Sequence, residues 1–297
     1  MNQTGLFKGI LPAIITPIDN DEVFAPAAYK KLLASVYAAG VHGIYVCGQT
    51  GEGLLQSVSQ RKLMAEESMK HSPAGKQVIV HVGAYNTRDA VELSRHASSI
   101  EVSAISSLPP LGPYSFPEIK AYYEAVASAS EVPLLVYYFP EICPAIKTAE
   151  QILELCAIPN VTGLKFTDFD LYRMRLLKNS GAVIFNGRDE MLVAGLLMGA
   201  DGGIGSFYNI IPELFVSLYD CAQKGDWMAA RTKQDRINAI IQLTLNFPMM
   251  AALKQTLQWM GIDCGHCITP RQALSAGQTA ELRRQLEAIQ FQFDPKA

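Results

Sequence analysis

Short apolar runs alternate with stretches of helical spacing through most of the chain. Residues 10–18 are largely apolar and punctuated by Pro12 and Pro17, which reads as a strand. Residues 27–39 follow with Tyr29, Leu32, Leu33, Val36 and Tyr37 at the three- and four-residue intervals of one helix face. The couple then repeats. Strands are expected at 43–47, 77–82, 102–108, 134–139, 161–166, 183–185 and 203–206. Helices are expected at 58–71, 88–100, 116–129, 149–156, 171–178, 191–198 and 212–222. Strands separated by crossover helices call for a parallel sheet. Eight such units favour an α/β architecture closed into a (β/α)8 TIM barrel. An open doubly wound sheet is the alternative, weakened because no G-x-G-x-x-G turn follows the first strand.

Past residue 225 the alternation stops, and 228–247, 250–260 and 280–291 read as helices. They are expected to form a C-terminal helical extension, about 225–293, on a barrel of about 9–224, the whole of 1–297 being a single domain.

Apolar residues make up 49% of the 297 and charged residues only 18%, against an ordinary share of roughly 25%. A large buried fraction, or burial between subunits, accounts for that balance. The net charge is −3 and no basic block appears, so nucleic acid is not an expected partner. No apolar run is long enough to span a bilayer, and residues 1–8 have no signal-peptide pattern, so a cytoplasmic location is expected. The six cysteines do not suggest a disulfide scaffold in a chain of this size. Cys264-Gly265-His266-Cys267 has C-x-x-C spacing but lacks a second ligand pair, so it reads as a loop with free thiols, and no metal is expected.

In a barrel of this kind the chemistry gathers where strands end, at their C-terminal edge. Lys165 stands out there, a lysine inside an otherwise apolar strand. Desolvation favours a neutral amine, and a neutral amine attacks carbonyls. A structural lysine paired with Glu52 or Asp189 is the competing reading. Gln49, Thr50 and Gly51 lie in a glycine-bounded turn, which can present N–H groups and a hydroxyl to a carboxylate or can simply turn the chain. Tyr137 is either a proton-transfer phenol or a core tyrosine. The glycine-rich run at 202–205 either cradles a phosphate or packs tightly where the barrel closes. Asp189 and Glu190 are adjacent, which suits polyol binding by one and structural bonding by the other better than a paired acid and base.

Taken in order, Gly48-Gln49-Thr50-Gly51-Glu52, Tyr137 with Pro140, Gly163-Leu164-Lys165, Asn186-Gly187-Arg188-Asp189-Glu190 and Gly205-Ser206-Phe207-Tyr208-Asn209 resemble the motifs of the N-acetylneuraminate lyase and dihydrodipicolinate synthase family of class I, pyruvate-dependent aldolases. The resemblance runs from Gly9 to about Phe291 and is closer to the lyase branch. It implies that Lys165 forms a Schiff base and Tyr137 shuttles a proton. It implies that Gln49, Thr50 and Gly51 surround a keto-acid carboxylate. Thr167, Gly187, Asp189, Glu190 and Ser206 would hold a hydroxylated tail. The implied reaction is reversible cleavage of a 2-keto-3-deoxy sugar acid to pyruvate and an aldehyde, N-acetylneuraminate and N-acetylmannosamine being the leading pair. The alternatives are another sugar-acid aldolase, a dihydrodipicolinate synthase or a non-catalytic sugar-acid binder. No cofactor is implied, and the small-molecule substrate and a homotetramer are the implied partners.

The chain also departs from the family. Relatives often have Ser or Thr where Gln49 stands, and a Tyr after the fourth strand, where this chain has Pro109-Pro110-Leu111-Gly112-Pro113 before Tyr114. The synthase branch places an Arg soon after the strand-five Tyr. Here Glu141 follows Pro140, so an acidic aldehyde would meet a carboxylate.

Overall fold

Residues 7–293 are described by a computed structural model of the chain. The strands are β1 (Gly9–Pro12), β2 (Gly43–Val46), β3 (Gln77–His81), β4 (Ala104–Ser107), β5 (Leu134–Tyr138), β6 (Val161–Phe166), β7 (Val183–Asn186) and β8 (Gly202–Gly205). Between and after them come α1 (Pro26–Ala38), α2 (Val58–His71), α3 (Thr87–Ser99), α4 (Phe116–Ser128), α5 (Ala149–Cys156), α6 (Leu171–Lys178), α7 (Leu192–Leu197) and α8 (Pro212–Gln223). The strands form one parallel sheet in the order β1-β8-β7-β6-β5-β4-β3-β2. A parallel bridge between Ala13 and Tyr45 closes the ring, with Ile14 N–H donating to the Tyr45 carbonyl at 2.9 Å and His42 N–H to the Ile10 carbonyl at 2.9 Å. The barrel reading is therefore correct, and the open sheet is not.

The two-residue period of a strand sorts the core into two layers. Leu11, Tyr45, Ile79, Ala104, Leu135, Tyr137, Phe185 and Ile204 pack together inside the barrel. Their neighbours Ile10, Ile44, Val80, Ile105, Val136, Leu164, Phe166 and Ile184 pack outward against the helices. On β6 this alternation turns Leu164 and Phe166 out, so Lys165 between them points in. Register sets Lys165 beside Tyr137 on β5 and Phe185 on β7.

Several expected elements have different limits. The strand expected at 10–18 ends at Pro12, because Pro12 and Pro17 lack N–H groups and other partners take the backbone between them. Asn209 is the main one: its Oδ1 accepts from Ile15 N–H at 3.1 Å, and its Nδ2 donates to the Ala13 carbonyl at 2.8 Å. The last helix begins earlier than 280. Ser275 caps it by accepting from Gln278 N–H, and the Gln278 side chain accepts in return from Ser275 N–H at 3.0 Å, a capping box.

The C-terminal extension consists of α9 (Trp227–Thr244), α10 (Met249–Trp259) and α11 (Ala276–Ala288). It is fastened to the C-terminal edge of the barrel. Gln234 on α9 accepts from Val193 N–H at 3.0 Å and donates to the Asp189 carbonyl at 3.1 Å, and Asn238 donates to the Glu190 carbonyl at 3.2 Å. The extension thus reaches the loops where the barrel's side chains emerge.

Close strand packing rests on a glycine at Gly163. A Cβ there would fall 2.0 Å from the Val183 carbonyl oxygen, a backbone atom that cannot swing aside. Gly163→Ala should therefore lose about 1–3 kcal/mol of stability, the usual cost of overpacking. Urea unfolding followed by circular dichroism measures it, and an unchanged midpoint would contradict the packing described.

Candidate active site

At the C-terminal edge of the barrel lies a cavity of about 250 Å³. Lys165, Tyr137, Gln49, Thr50, Thr167, Gly187, Asp189, Glu190 and Ser206 all line it. Of the residues that the resemblance assigns to the site, Gly51 alone does not. Its carbonyl instead accepts from the Thr16 hydroxyl at 2.6 Å, which anchors the turn from behind.

Lys165 is 4% exposed. Its Nζ lies 4.1 Å from the centre of the Tyr137 ring and 4.7 Å from that of Tyr45, against the electron-rich faces of both. It is in no ion pair or hydrogen bond among the described residues. Both partners of the structural reading are engaged elsewhere. Glu52 pairs with Lys254 at 2.9 Å, and Asp189 accepts from Phe207 N–H at 2.8 Å. Tyr137 is buried, lies edge-on to Tyr45 and is stacked on Phe139, and its hydroxyl has no hydrogen-bond partner among the described residues. A buried amine and a buried phenol therefore stand side by side with their polar atoms uncommitted.

The turn after β2 is held by its own backbone, with Glu52 N–H donating to the Gln49 carbonyl at 3.1 Å and Gly53 N–H to the Gly48 carbonyl at 3.1 Å. The N–H groups of Thr50 and Gly51 have no acceptor among the described residues. Thr50 Oγ1 and Ser206 Oγ are 2.6 Å apart, so this turn and the end of β8 meet across the cavity. Gly187 lets the end of β7 approach Thr167, because a Cβ on it would fall 2.0 Å from Thr167 Oγ1. That hydroxyl is buried without a partner.

The glycine run on β8 serves packing. A Cβ on Gly202 would meet the Gly9 carbonyl oxygen at 1.9 Å, one on Gly203 the Tyr208 hydroxyl at 2.2 Å, and one on Gly205 the Asp189 carboxylate at 1.8 Å. Of the two readings of this run, the structure supports barrel closure. Asp189 and Glu190 share a short 3-10 turn, Asp189–Met191, and both reach the cavity.

Other lining residues did not stand out in the sequence. Ile241, Leu245, Met249 and Met250 come from the extension, and Arg271 from the loop before α11. No local signal says which face of an added helix covers a barrel mouth. Arg188 did stand in a quoted motif. Its guanidinium lies over Phe169 at 4.3 Å and Phe139 at 5.3 Å and pairs with Glu141. Glu141 is thus not the unopposed carboxylate that the sequence suggested. Tyr114 lies outside the cavity and is partly exposed. Among the described residues no three His, Cys, Asp or Glu side chains cluster as metal ligands, and no helix is long and apolar enough to cross a membrane.

Burial raises the Asp189 carboxyl from 3.8 to about 7, with Glu190 pushing the same way and the Phe207 N–H bond opposing. The folded protein therefore keeps this proton over a range in which the unfolded chain has lost it. Its contribution is fully favourable below 3.8, declines as pH rises toward about 7, and is constant above that. Asp189→Asn should flatten this decline. Urea unfolding of both proteins across the interval checks it, and parallel pH profiles would refute the assignment.

Residues 6–289 match the profile of the dihydrodipicolinate synthetase family. The N-acetylneuraminate lyase of Rhizobium meliloti (strain 1021) is 35% identical over 285 residues, covering 95% of each chain. A structure described as the catalytic lysine mutant of the Ruminococcus gnavus sialic acid aldolase superposes with a TM-score of 0.93 at 30% identity, covering 97% of each chain. The Proteus mirabilis N-acetylneuraminate lyase superposes with a TM-score of 0.89 at 29% identity, over 96% of this chain and 99% of its own. The chain belongs to the dihydrodipicolinate synthetase family and is a carbon–carbon lyase of its class I, pyruvate-dependent kind.

Proposed function

We propose that the chain cleaves a 2-keto-3-deoxy sugar acid reversibly to pyruvate and an aldehyde, and that its substrate is N-acetylneuraminate, with N-acetylmannosamine as the aldehyde. The observation that carries this reading is the pairing of Lys165 with Tyr137. Lys165 is the only lysine lining the cavity among the described residues, and Tyr137 is its registered neighbour. The lyase relatives support the choice of sugar acid.

In this scheme the Lys165 amine adds to the keto carbon, and loss of water gives an iminium. Tyr137 gives its phenol proton to that departing water, and the phenolate so formed takes the proton from the hydroxyl on the fourth carbon as the bond between the third and fourth carbons breaks. The bonding electrons pass into the iminium, leaving an enamine, and the aldehyde departs. Protonation of the enamine and hydrolysis release pyruvate and free Lys165. The Thr50 and Gly51 N–H groups, the Thr50 hydroxyl and the Gln49 amide hold the carboxylate and so orient the reacting carbon. Thr167, Ser206, Asp189 and Glu190 hydrogen-bond the hydroxylated tail, and Gly187 lets it approach the β7 backbone. Arg188 favours a second reading within the same class: by neutralising Glu141 it makes room for an aldehyde that carries its own carboxylate.

Incubation with pyruvate and borohydride should add a reduced pyruvate adduct to the intact mass. Lys165→Ala should abolish both adduct and sugar-acid cleavage. An adduct or turnover surviving in a folded Lys165→Ala protein would sink the mechanism.

We propose further that the chain assembles as a homotetramer. Phe169 and, on α6, Tyr172 and Leu176 are exposed apolar side chains, and Leu197 at the end of the adjoining α7 is another. Tyr85 and Tyr114 are exposed on the loops after β3 and β4. Two apolar faces per subunit suit a pair of dimers. Light scattering on the eluting protein should give the mass of four chains, and Tyr172→Glu should reduce it to two. A monomer at micromolar concentration would rule the tetramer out.

A further inference from the structure

The turn that carries Thr50 is tied to the C-terminal extension through one side chain. Glu52 takes a left-handed backbone conformation, φ 52°, which a residue with a Cβ adopts at some cost. Its carboxylate is completely buried. It accepts from Ile268 N–H at 3.1 Å and lies 2.9 Å from Lys254 Nζ and 3.5 Å from Arg271 Nε. Lys254 is also buried and donates to the His266 carbonyl at 2.5 Å. A buried carboxylate deprived of its partners is strongly destabilising, so this node fixes the spacing between the turn and the extension.

The node is not neutral. Lys254 and Arg271 are two cations against the single carboxylate of Glu52, which leaves one positive charge unmatched. No other carboxylate lies within ion-pair distance of Arg271 among the described residues. Lys254 is sealed in, so the excess charge is available at Arg271. Its side chain is 39% exposed and lines the same cavity as Gln49 and Thr50. At 3.5 Å its contact with Glu52 is looser than a hydrogen-bonded pair, so the guanidinium can turn toward a second anion.

We propose that Arg271, held at the cavity by Glu52, is a further substrate-binding residue that supplies positive charge for the carboxylate of the keto acid. This rests on the pyruvate-binding reading above. The extension then contributes to the anionic end of the substrate as well as walling the cavity. Glu52 acts only through Arg271 and the turn, and is a positioning residue.

The test titrates pyruvate against borohydride-trapped adduct in the wild type, Arg271→Gln and Arg271→Lys, at low and high sodium chloride. Removing one attractive charge near the carboxylate should raise the pyruvate needed for half-maximal adduct about tenfold. It should also remove most of the salt dependence that the wild type shows. Saturated turnover should change little, and Arg271→Lys should recover much of the loss. Arg271→Gln leaves Glu52 paired with Lys254 and Ile268 N–H, so it is expected to fold with an unchanged melting temperature. A pyruvate requirement within about twofold of wild type would overturn the proposal. So would a raised sugar-acid KM without a raised pyruvate requirement, because Arg271 would then read the tail. A lower melting temperature with no rescue by lysine would show a structural role instead. Absence of any adduct in the wild type would overturn the underlying aldolase reading, an outcome visible without any variant.

Discussion

A lysine amine held against two tyrosine rings, with no carboxylate in reach, is an arrangement that most of a protein's interior is built to avoid. Here it follows from the strand period inside a closed ring. Once Leu164 and Phe166 face the helices, Lys165 must face the axis, and the axis at that level is walled by Tyr45, Tyr137 and Phe185. The carboxylates that could have neutralised it are held off by other contacts. Asp189 sits in the niche that Gly205 leaves, fastened by Phe207 N–H, and Glu52 is turned away toward Lys254. A salt bridge to Lys165 would have been simpler to build and chemically inert.

Glycine packing shapes the same site. The ring closes tightly at β1 and β8 because Gly202 has no Cβ to strike the Gly9 carbonyl. Gly187 admits Thr167 to the end of β7, and Gly205 admits Asp189. Side chains from β6, β7 and β8 therefore converge in a space that bulkier strand ends would fill. The raised Asp189 carboxyl follows from that convergence: the niche that aims the side chain also removes it from water. Near neutral pH such a group can donate or accept, which suits a hydroxylated ligand.

The barrel was legible because its signal is repetitive. The limits of α2, α5, β6 and α6 match the sequence pattern residue for residue: the three helices are opened by the capping side chains of Ser57, Thr148 and Asp170, and β6 follows a left-handed turn at Asn160. Lys165 was legible for another reason, since a charged residue inside an apolar strand has few uses, whereas Thr167, Gly187 and Ser206, which line the same cavity, were marked only by the resemblance. The misjudged limits lay where long-range partners decide. Nothing near residues 13–18 announces that Asn209 will take the Ala13 carbonyl and the Ile15 N–H. The capping box at Ser275 was visible in the spacing Ser275 to Gln278, but the periodic apolar signal begins later and drew the boundary with it.

The walls supplied by α9 and α10 were illegible for a deeper reason. Ile241, Leu245, Met249 and Met250 look like any buried helix face, and burial against a neighbour has the same sequence signature as burial against a ligand cavity. Only the polar fasteners separate the two. Gln234 and Asn238 bind the carbonyls of Asp189 and Glu190, and Lys254 binds Glu52, so each of the two site-bearing loops has its own tie to the extension. Such ties add little to stability compared with packing apolar surface in their place, and a buried ion pair is often replaceable without loss. What they fix is register. An apolar helix face can slide on a barrel rim at small cost, but the Lys254–Glu52 pair and the two amide contacts admit one placement. On this argument the extension is held as accurately as the strands, and the cavity belongs to both.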